Sequence, residues 1–253
     1  MLPLPRFPLS LALAGLSAPA GLREQVEWAA QLGYRAVQLN GGASGTRARE
    51  LSRTGRRDVA ALLRRHEMAC SGVDLWIPAA HFIDPAHSDR AAEAVGESLL
   101  LAADIASLTS GRAVLCIATP SEPAAGGVIA ALSERARTAG AILADSSWPQ
   151  RWTSLGMAAC IDPATILISG ETSISPAKAL ALAGPAAANV RLSDLGPSGR
   201  VEPGTGRLDL LAYLVAASTV SGGVTPVVDL RGIADQPTVA AAVQGRCGLI
   251  RIT

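Results

Sequence analysis

The sequence predicts a single (β/α)8 barrel domain over residues 1–253, and three observations carry that prediction. One device recurs: a helical segment stops near a glycine or alanine, and a short apolar run follows that ends on a polar side chain. It appears as "QLGYRAVQLN", "GRAVLCIAT", "TAGAILADS", "SLGMAACID", "PAAANVRLSD" and "SGGVTPVVDL". Glycine past a helix end supplies a left-handed cap, and a continuous apolar run after it is the mark of a strand buried on both faces. With the apolar runs at 9–15 and 69–75 these segments make eight strands in 253 residues, and a barrel of about 250 residues is usual. The composition agrees: 49% apolar, 17% charged and only 3% aromatic describes alanine-rich helices around aliphatic strands. An open doubly wound sheet is the competing architecture, but it would carry G-x-G-x-x-G after its first strand, and "AGLSAPAG" does not match.

Each element follows in order. The opening "MLPLPRFPLSLALAGLSAPAG" imitates a secretory leader, yet Pro3, Pro5 and Pro8 interrupt it and only Arg6 supplies charge, so residues 9–15 read as the first strand. Helices are expected at 21–33, 53–67, 88–107, 127–139, 175–184, 207–219 and 236–245. Strands two to eight are expected at 36–40, 69–75, 112–118, 141–145, 157–162, 188–194 and 225–230. Between the fifth and sixth strands "SSWPQRWTSLG" has room for one or two turns, which predicts a shortened fifth helix. The arginines of "RTGRRDVAALLRRH" fall on an outer helical face broken by Asp58 and read as solvated. The tail "GLIRIT" resembles one strand more than the barrel needs.

A net charge of +1, from 22 basic and 21 acidic residues, gives no nucleic-acid footprint and no attraction to an acidic membrane surface. No segment reaches the roughly 18 uninterrupted apolar residues of a membrane span. Cys70, Cys116, Cys160 and Cys247 are widely spaced and read as small buried hydrophobes of a reducing, cytoplasmic protein. The expected partner is a small molecule.

In a parallel barrel the strand C-termini converge on one mouth. This rule selects Asn40, Asp74, Thr119, Asp145, Asp162, Arg191, Asp194 and Asp229. So many carboxylates in one cavity repel one another unless a cation, a proton or an arginine sits among them.

The stretches "LREQVEWAAQLGYRAVQL", "GVDLWIPAAHFIDPAHSDRAAEAVGESLLLAADIA", "CIDPA", "NVRLSDLGPSGRVEPGTGRLDLLAYL" and "PVVDLRG" resemble the xylose isomerase-like TIM barrels, a family that includes sugar-phosphate isomerases and epimerases. The likeness extends over nearly the whole chain. It implies a divalent metal held by a glutamate from strand five, an aspartate from strand six, a histidine from strand seven and a glutamate from strand eight. At those places this sequence has Asp145 (or Ser146), Asp162 followed by Thr165 where a second histidine is usual, Arg191, and Asp229. A guanidinium has no free lone pair, stays protonated and repels a dication, but it can neutralise carboxylates through paired hydrogen bonds. The expectation is therefore a mouth with neither metal nor other cofactor, centred on Arg191. The alternative keeps Asp145, Asp162 and Asp229 around magnesium or manganese, with Arg191 turned aside.

Two functional readings follow. The resemblance implies a sugar isomerase or epimerase-like enzyme acting on a carbohydrate or sugar-like molecule by proton transfer next to a carbonyl. Asp162 or Asp145 would be its base, Asp229 the partner and Arg191 the electrophile. The alternative is a catalytically degenerate barrel that binds a carbohydrate or acts as a scaffold. His81, Asp194, Arg231 and Trp148 are the expected substrate-binding residues, with a surface histidine the competing reading of His81 and a solvent-facing side chain that of Arg231. Trp76, Trp148 and Trp152 suit either a sugar platform or a hydrophobic rim. The loop "EPGTGRLD" reads as a tight turn feeding a capped helix, or as a phosphate site using Arg200 or Arg207.

Overall fold

The computed structural model describes residues 8–220 and 224–247. The first seven residues and the "GLIRIT" tail lie outside the described residues. Eight parallel strands close into a barrel: β1 (Ser10–Ala12), β2 (Ala36–Asn40), β3 (Ala69–Asp74), β4 (Val114–Ile117), β5 (Ile142–Asp145), β6 (Ala158–Ile161), β7 (Ala187–Leu192) and β10 (Val227–Val228). Closure comes from β1, whose Ser10 is in register with Val227 on one side and Ala36 on the other. The run "LSLALAG" therefore serves as a barrel strand. Between β7 and β10 the chain forms an extra antiparallel hairpin, β8 (Asp194–Gly196) with β9 (Gly199–Val201).

The helices are α1 (Leu22–Gln31), α2 (Arg53–Arg65), α3 (Ser88–Thr109), α4 (Gly126–Ala139), α5 (Pro163–Ile168), α6 (Pro176–Ala183), α7 (Leu210–Ser218) and α8 (Gln236–Cys247). Their starts follow local chemistry. Ser52, Asp162, Ser175 and Asp209 accept from the first-turn N–H groups of α2, α5, α6 and α7, as side chains with a short-range acceptor do. Only a 3-10 turn, Thr153–Leu155, connects β5 to β6, so the expected short fifth helix is a single turn. Two helices, α5 and α6, instead follow β6. The sequence reading has no helix at 163–168, because six residues carry too little periodicity, and the Asp162 cap with Pro163 in the first turn starts one nonetheless.

Strand alternation divides the core. Leu115 and Ile117 of β4 join the main cluster under the helices, whereas Val114 and Cys116 join Ala144, Cys160 and Ala188 in a second, small-residue cluster. Small side chains leave the barrel interior room for polar groups. Ser10 bonds Ser71 at 2.7 Å, Gln38 donates to the Cys116 sulfur, and the Cys160 thiol donates to Asn189. Above this layer sits Arg191. No described helix is long and apolar enough to cross a membrane.

Candidate active site

Strand register assembles the site. Arg191 lies opposite Val227 and Leu192 opposite Val228, so Asp229, one step further, falls beside the guanidinium. Asp74 ends β3 and Asp162 follows β6. Two more cations come from connecting segments. Arg231 stands two residues past Asp229, and Arg200 lies on β9, which the hairpin returns opposite Leu195 of β8.

Arg191 Nη1 donates to Asp229 Oδ2 at 2.9 Å, and Nη2 donates to Asp74 Oδ1. Arg231 Nε donates to both Asp229 oxygens at 3.0 Å, its Nη2 also reaches Oδ2, and its Nη1 lies 3.3 Å from Asp74 Oδ2. Arg200 Nη2 donates to Asp162 Oδ2 at 2.9 Å. Its Nη1 is 3.4 Å from Asp229 Oδ2, near enough to pair charges but not aligned as a hydrogen bond. Asp162 Oδ1 accepts from Ser193 Oγ and from the Ala164 N–H. Three carboxylates thus face three guanidiniums. The balance is necessary, because Arg191 is 1% exposed and an unpaired buried charge costs several kcal/mol.

The environments push these acids apart. Burial raises the Asp229 carboxyl to about 6 against the opposing pull of Arg191 and Arg200. Burial also pushes Asp162 up, but Arg200, Arg191 and the Ser193 hydrogen bond outweigh it and hold that carboxyl below the ordinary range. Arg191 loses solvation in the interior, yet the Asp74, Asp229 and Asp162 carboxylates more than compensate and lock its charge on. Over this network opens a cavity of about 430 Å3 lined by Asp74, Asp162, Arg191, Arg200, Arg231, Thr165, Ser146, Ser147, Trp76 and Trp148, among others. That volume suits a small molecule.

The expected site residues divide into two groups. Asp162, Asp229, Arg191 and Arg231 share one network, and Trp148 lines its cavity. Asp145 does not join them: its Oδ1 accepts from the Ser147 N–H at 2.9 Å and from Ser147 Oγ at 2.7 Å, away from the arginines. Burial raises its carboxyl, and Oδ2 has no hydrogen-bond partner. Asp194 is corrected from substrate ligand to internal brace. It is fully buried, and its oxygens accept the N–H groups of Leu195, Gly204, Gly206 and Leu208 at 2.7–2.9 Å. A Cβ on Gly206 would stand 2.8 Å from Asp194 Oδ1 and 2.6 Å from the Leu195 carbonyl, so only glycine permits the wrap. His81 lies apart from this arginine network: it stacks on His87 at 4.4 Å in a neighbouring groove with Arg49 and Arg90. Trp152 is buried with its indole N–H on the Pro120 carbonyl, a rim role.

Two residues matter more than their sequence positions suggest. Asp74 obeys the strand-end rule but sits outside the family's metal positions. Arg200 lies in a segment whose glycines and proline read as a loop, and the hairpin that aims it leaves no periodicity to detect.

The divalent metal implied by the family resemblance does not fit these residues. A guanidinium bridges Asp74 and Asp229, Asp145 is committed elsewhere, and among the described residues no three His, Cys, Asp or Glu side chains converge as a ligand set.

No protein-family model and no curated protein matches the sequence. Solved structures do match in shape. A xylose isomerase domain protein from Planctomyces limnophilus superposes with TM-score 0.69 at 16% identity, covering 96% of each chain. L-ribulose 3-epimerase gives 0.71 at 14% identity over 95% of this chain and 93% of that one. IolI protein with a binding zinc atom gives 0.68 at 14% identity over 95% and 96%. The chain therefore has the fold of the xylose isomerase-like TIM barrels.

Proposed function

We propose that the protein is a sugar isomerase or epimerase-like enzyme that moves a proton at a carbon next to a carbonyl of a carbohydrate-like substrate, using arginines where metal-dependent relatives use a dication. One observation carries the reading: a single cavity is lined by the Asp74 carboxylate and by the partly exposed guanidiniums of Arg200 and Arg231. Such chemistry needs a base beside the carbon and a positive group at the developing enediolate oxygen. Asp74 is the better base, since its Oδ2 has only the 3.3 Å contact with Arg231. Asp162, with both oxygens engaged and its proton affinity lowered, orients Arg200. Asp229 does not line the cavity, and it sets the charge of the network from behind. Likeness in fold to an L-ribulose 3-epimerase supports the reaction class.

The competing reading, a carbohydrate-binding barrel without catalysis, draws on the same pairing, because carboxylates hydrogen-bonded to arginine are weak bases. Solvent-deuterium exchange decides between them. Ketopentoses, ketohexoses and ketouronates incubated with enzyme in D2O should gain deuterium beside the carbonyl in at least one case by NMR, equally after EDTA dialysis. Asp74→Asn should slow that exchange by about 10²-fold or more. Exchange with no sugar of the panel leaves the binding reading, and exchange that disappears with EDTA and returns with manganese refutes the arginine role.

A further inference from the structure

The cavity wall has more cation than anion. Its exposed charges are Arg200 and Arg231, at 22% and 29%, against 6% for Asp74, 4% for Asp162 and 1% for Arg191, with Asp229 behind. Donors are also in surplus. Arg200 Nη1, 3.4 Å from Asp229 Oδ2 but not aligned with it, and Arg191 Nε are buried without a hydrogen bond, although buried donors are nearly always satisfied. Asp229 is already shared, accepting from Arg191 and repeatedly from Arg231. The rest of the wall near the arginines is neutral: Ser146, Ser147, Thr165 and the two tryptophans.

A second observation narrows the missing acceptor. In barrels of this kind a phosphate often sits on backbone N–H groups of the loop after the seventh strand. Here the loop N–H groups of Gly204, Gly206 and Leu208, with that of Leu195, are all given to the Asp194 carboxylate. The chain's own acid fills the anion nest, and Asp74 and Asp162 on the cavity wall would repel a dianion.

We infer that the substrate is a sugar acid, an unphosphorylated carbohydrate whose single carboxylate is received between Arg200 and Arg231. The inference rests on the proposed carbohydrate site and specifies its substrate class. A planar carboxylate accepts two parallel N–H groups from a guanidinium, which a neutral hydroxyl cannot do. The uncharged remainder of the ligand then faces Trp76 and Trp148.

Calorimetric titration tests this with D-glucuronate, D-galacturonate and glycolate against D-glucose, D-galactose and D-glucose 6-phosphate. At least one uronate should bind about tenfold or more tighter than its neutral hexose and than the phosphate, in keeping with a charge-assisted hydrogen bond. Arg200→Gln, checked for folding by its urea transition, should erase that preference. Arg231→Lys, which keeps the charge but loses the fork, should reduce it. Equal binding of acid and neutral sugar, tighter binding of the phosphate, or no binding of any carboxylate overturns the inference. Deuterium exchange over a panel of ketoses and ketouronates reads the reaction class separately: exchange without an acid preference overturns only this inference, and acid-selective binding without exchange overturns only the proposed reaction.

Discussion

Replacing Arg191 by leucine is the sharpest perturbation of this site. The guanidinium is 1% exposed and donates to two buried carboxylates, Asp74 and Asp229. Removing one member of a buried ion pair costs roughly 3–5 kcal/mol, because the partner charge stays behind. Arg231 still touches both acids and Arg200 lies 3.4 Å from Asp229, so the loss should fall near the low end, about 3 kcal/mol. Against a total stability of roughly 5–15 kcal/mol, that is readily resolved by urea denaturation followed by circular dichroism. Without Arg191, which holds it down, the Asp229 carboxyl should move above 6, so the variant should already regain stability as pH falls from 7 toward 6. Replacing both partners, Arg191→Leu with Asp74→Leu, should recover most of the deficit, since well-packed apolar pairs often substitute for buried ions. A single-variant loss under about 1 kcal/mol, or a double variant whose losses simply add, would refute the claim that the arginine is the hub of the network.

Two further outcomes follow from the same geometry. Because burial raises the Asp229 carboxyl from 3.8 to about 6, its contribution is most favourable below pH 4 and is lost as pH rises through 6. The gap corresponds to roughly 3 kcal/mol at about 1.36 kcal/mol per pH unit. Wild type compared with Asp229→Asn across pH 4–7 should show that slope in urea midpoints, and a flat difference would disprove it. Asp194→Ala should cost about 3 kcal/mol or more, because four buried N–H groups lose their acceptor. Phosphate at millimolar concentration should partly restore the unfolding midpoint of that variant and leave wild type unmoved.

What the sequence made legible depends on where the physical signal is local. Short apolar runs after helix ends located six of the barrel strands, and the apolar runs at 9–15 and 69–75 supplied the other two, because strands buried on both faces are mostly apolar. The mouth was legible through the strand-end rule, which found Asp74, Asp162, Arg191 and Asp229. The rule names the level of the barrel at which a side chain sits, but not what competes for it there. Asp145 and Asp194 satisfy it as well as Asp229 does, but one Asp145 oxygen is claimed by Ser147, and both Asp194 oxygens are claimed by the N–H groups of Leu195, Gly204, Gly206 and Leu208. Arg200 needed tertiary information, since an antiparallel return rather than a strand tip delivers it. The position of His81 depends on the path of the loop after β3, which no periodicity encodes.

An arginine hub makes different demands on the surrounding chain from those of a metal. A dication gathers three or four ligands around one point, whereas a guanidinium carries a single charge in a plane and holds two carboxylates edge-on. Three aspartates at the mouth therefore require three arginines, and the fold supplies the second and third by separate devices. The hairpin brings Arg200 to Asp162, where Ser193 occupies the other oxygen. Arg231 reaches Asp229 and Asp74 by laying its methylenes over Gly15, where a Cβ would stand 2.0 Å from Arg231 Cγ and where the backbone has φ +80. Gly15 and Arg200 lie outside the strand positions where the family resemblance implies metal ligands, and under the proposed reading each supports the charge network around Arg191. Under the proposed reading these features fit one another as one site built around Arg191.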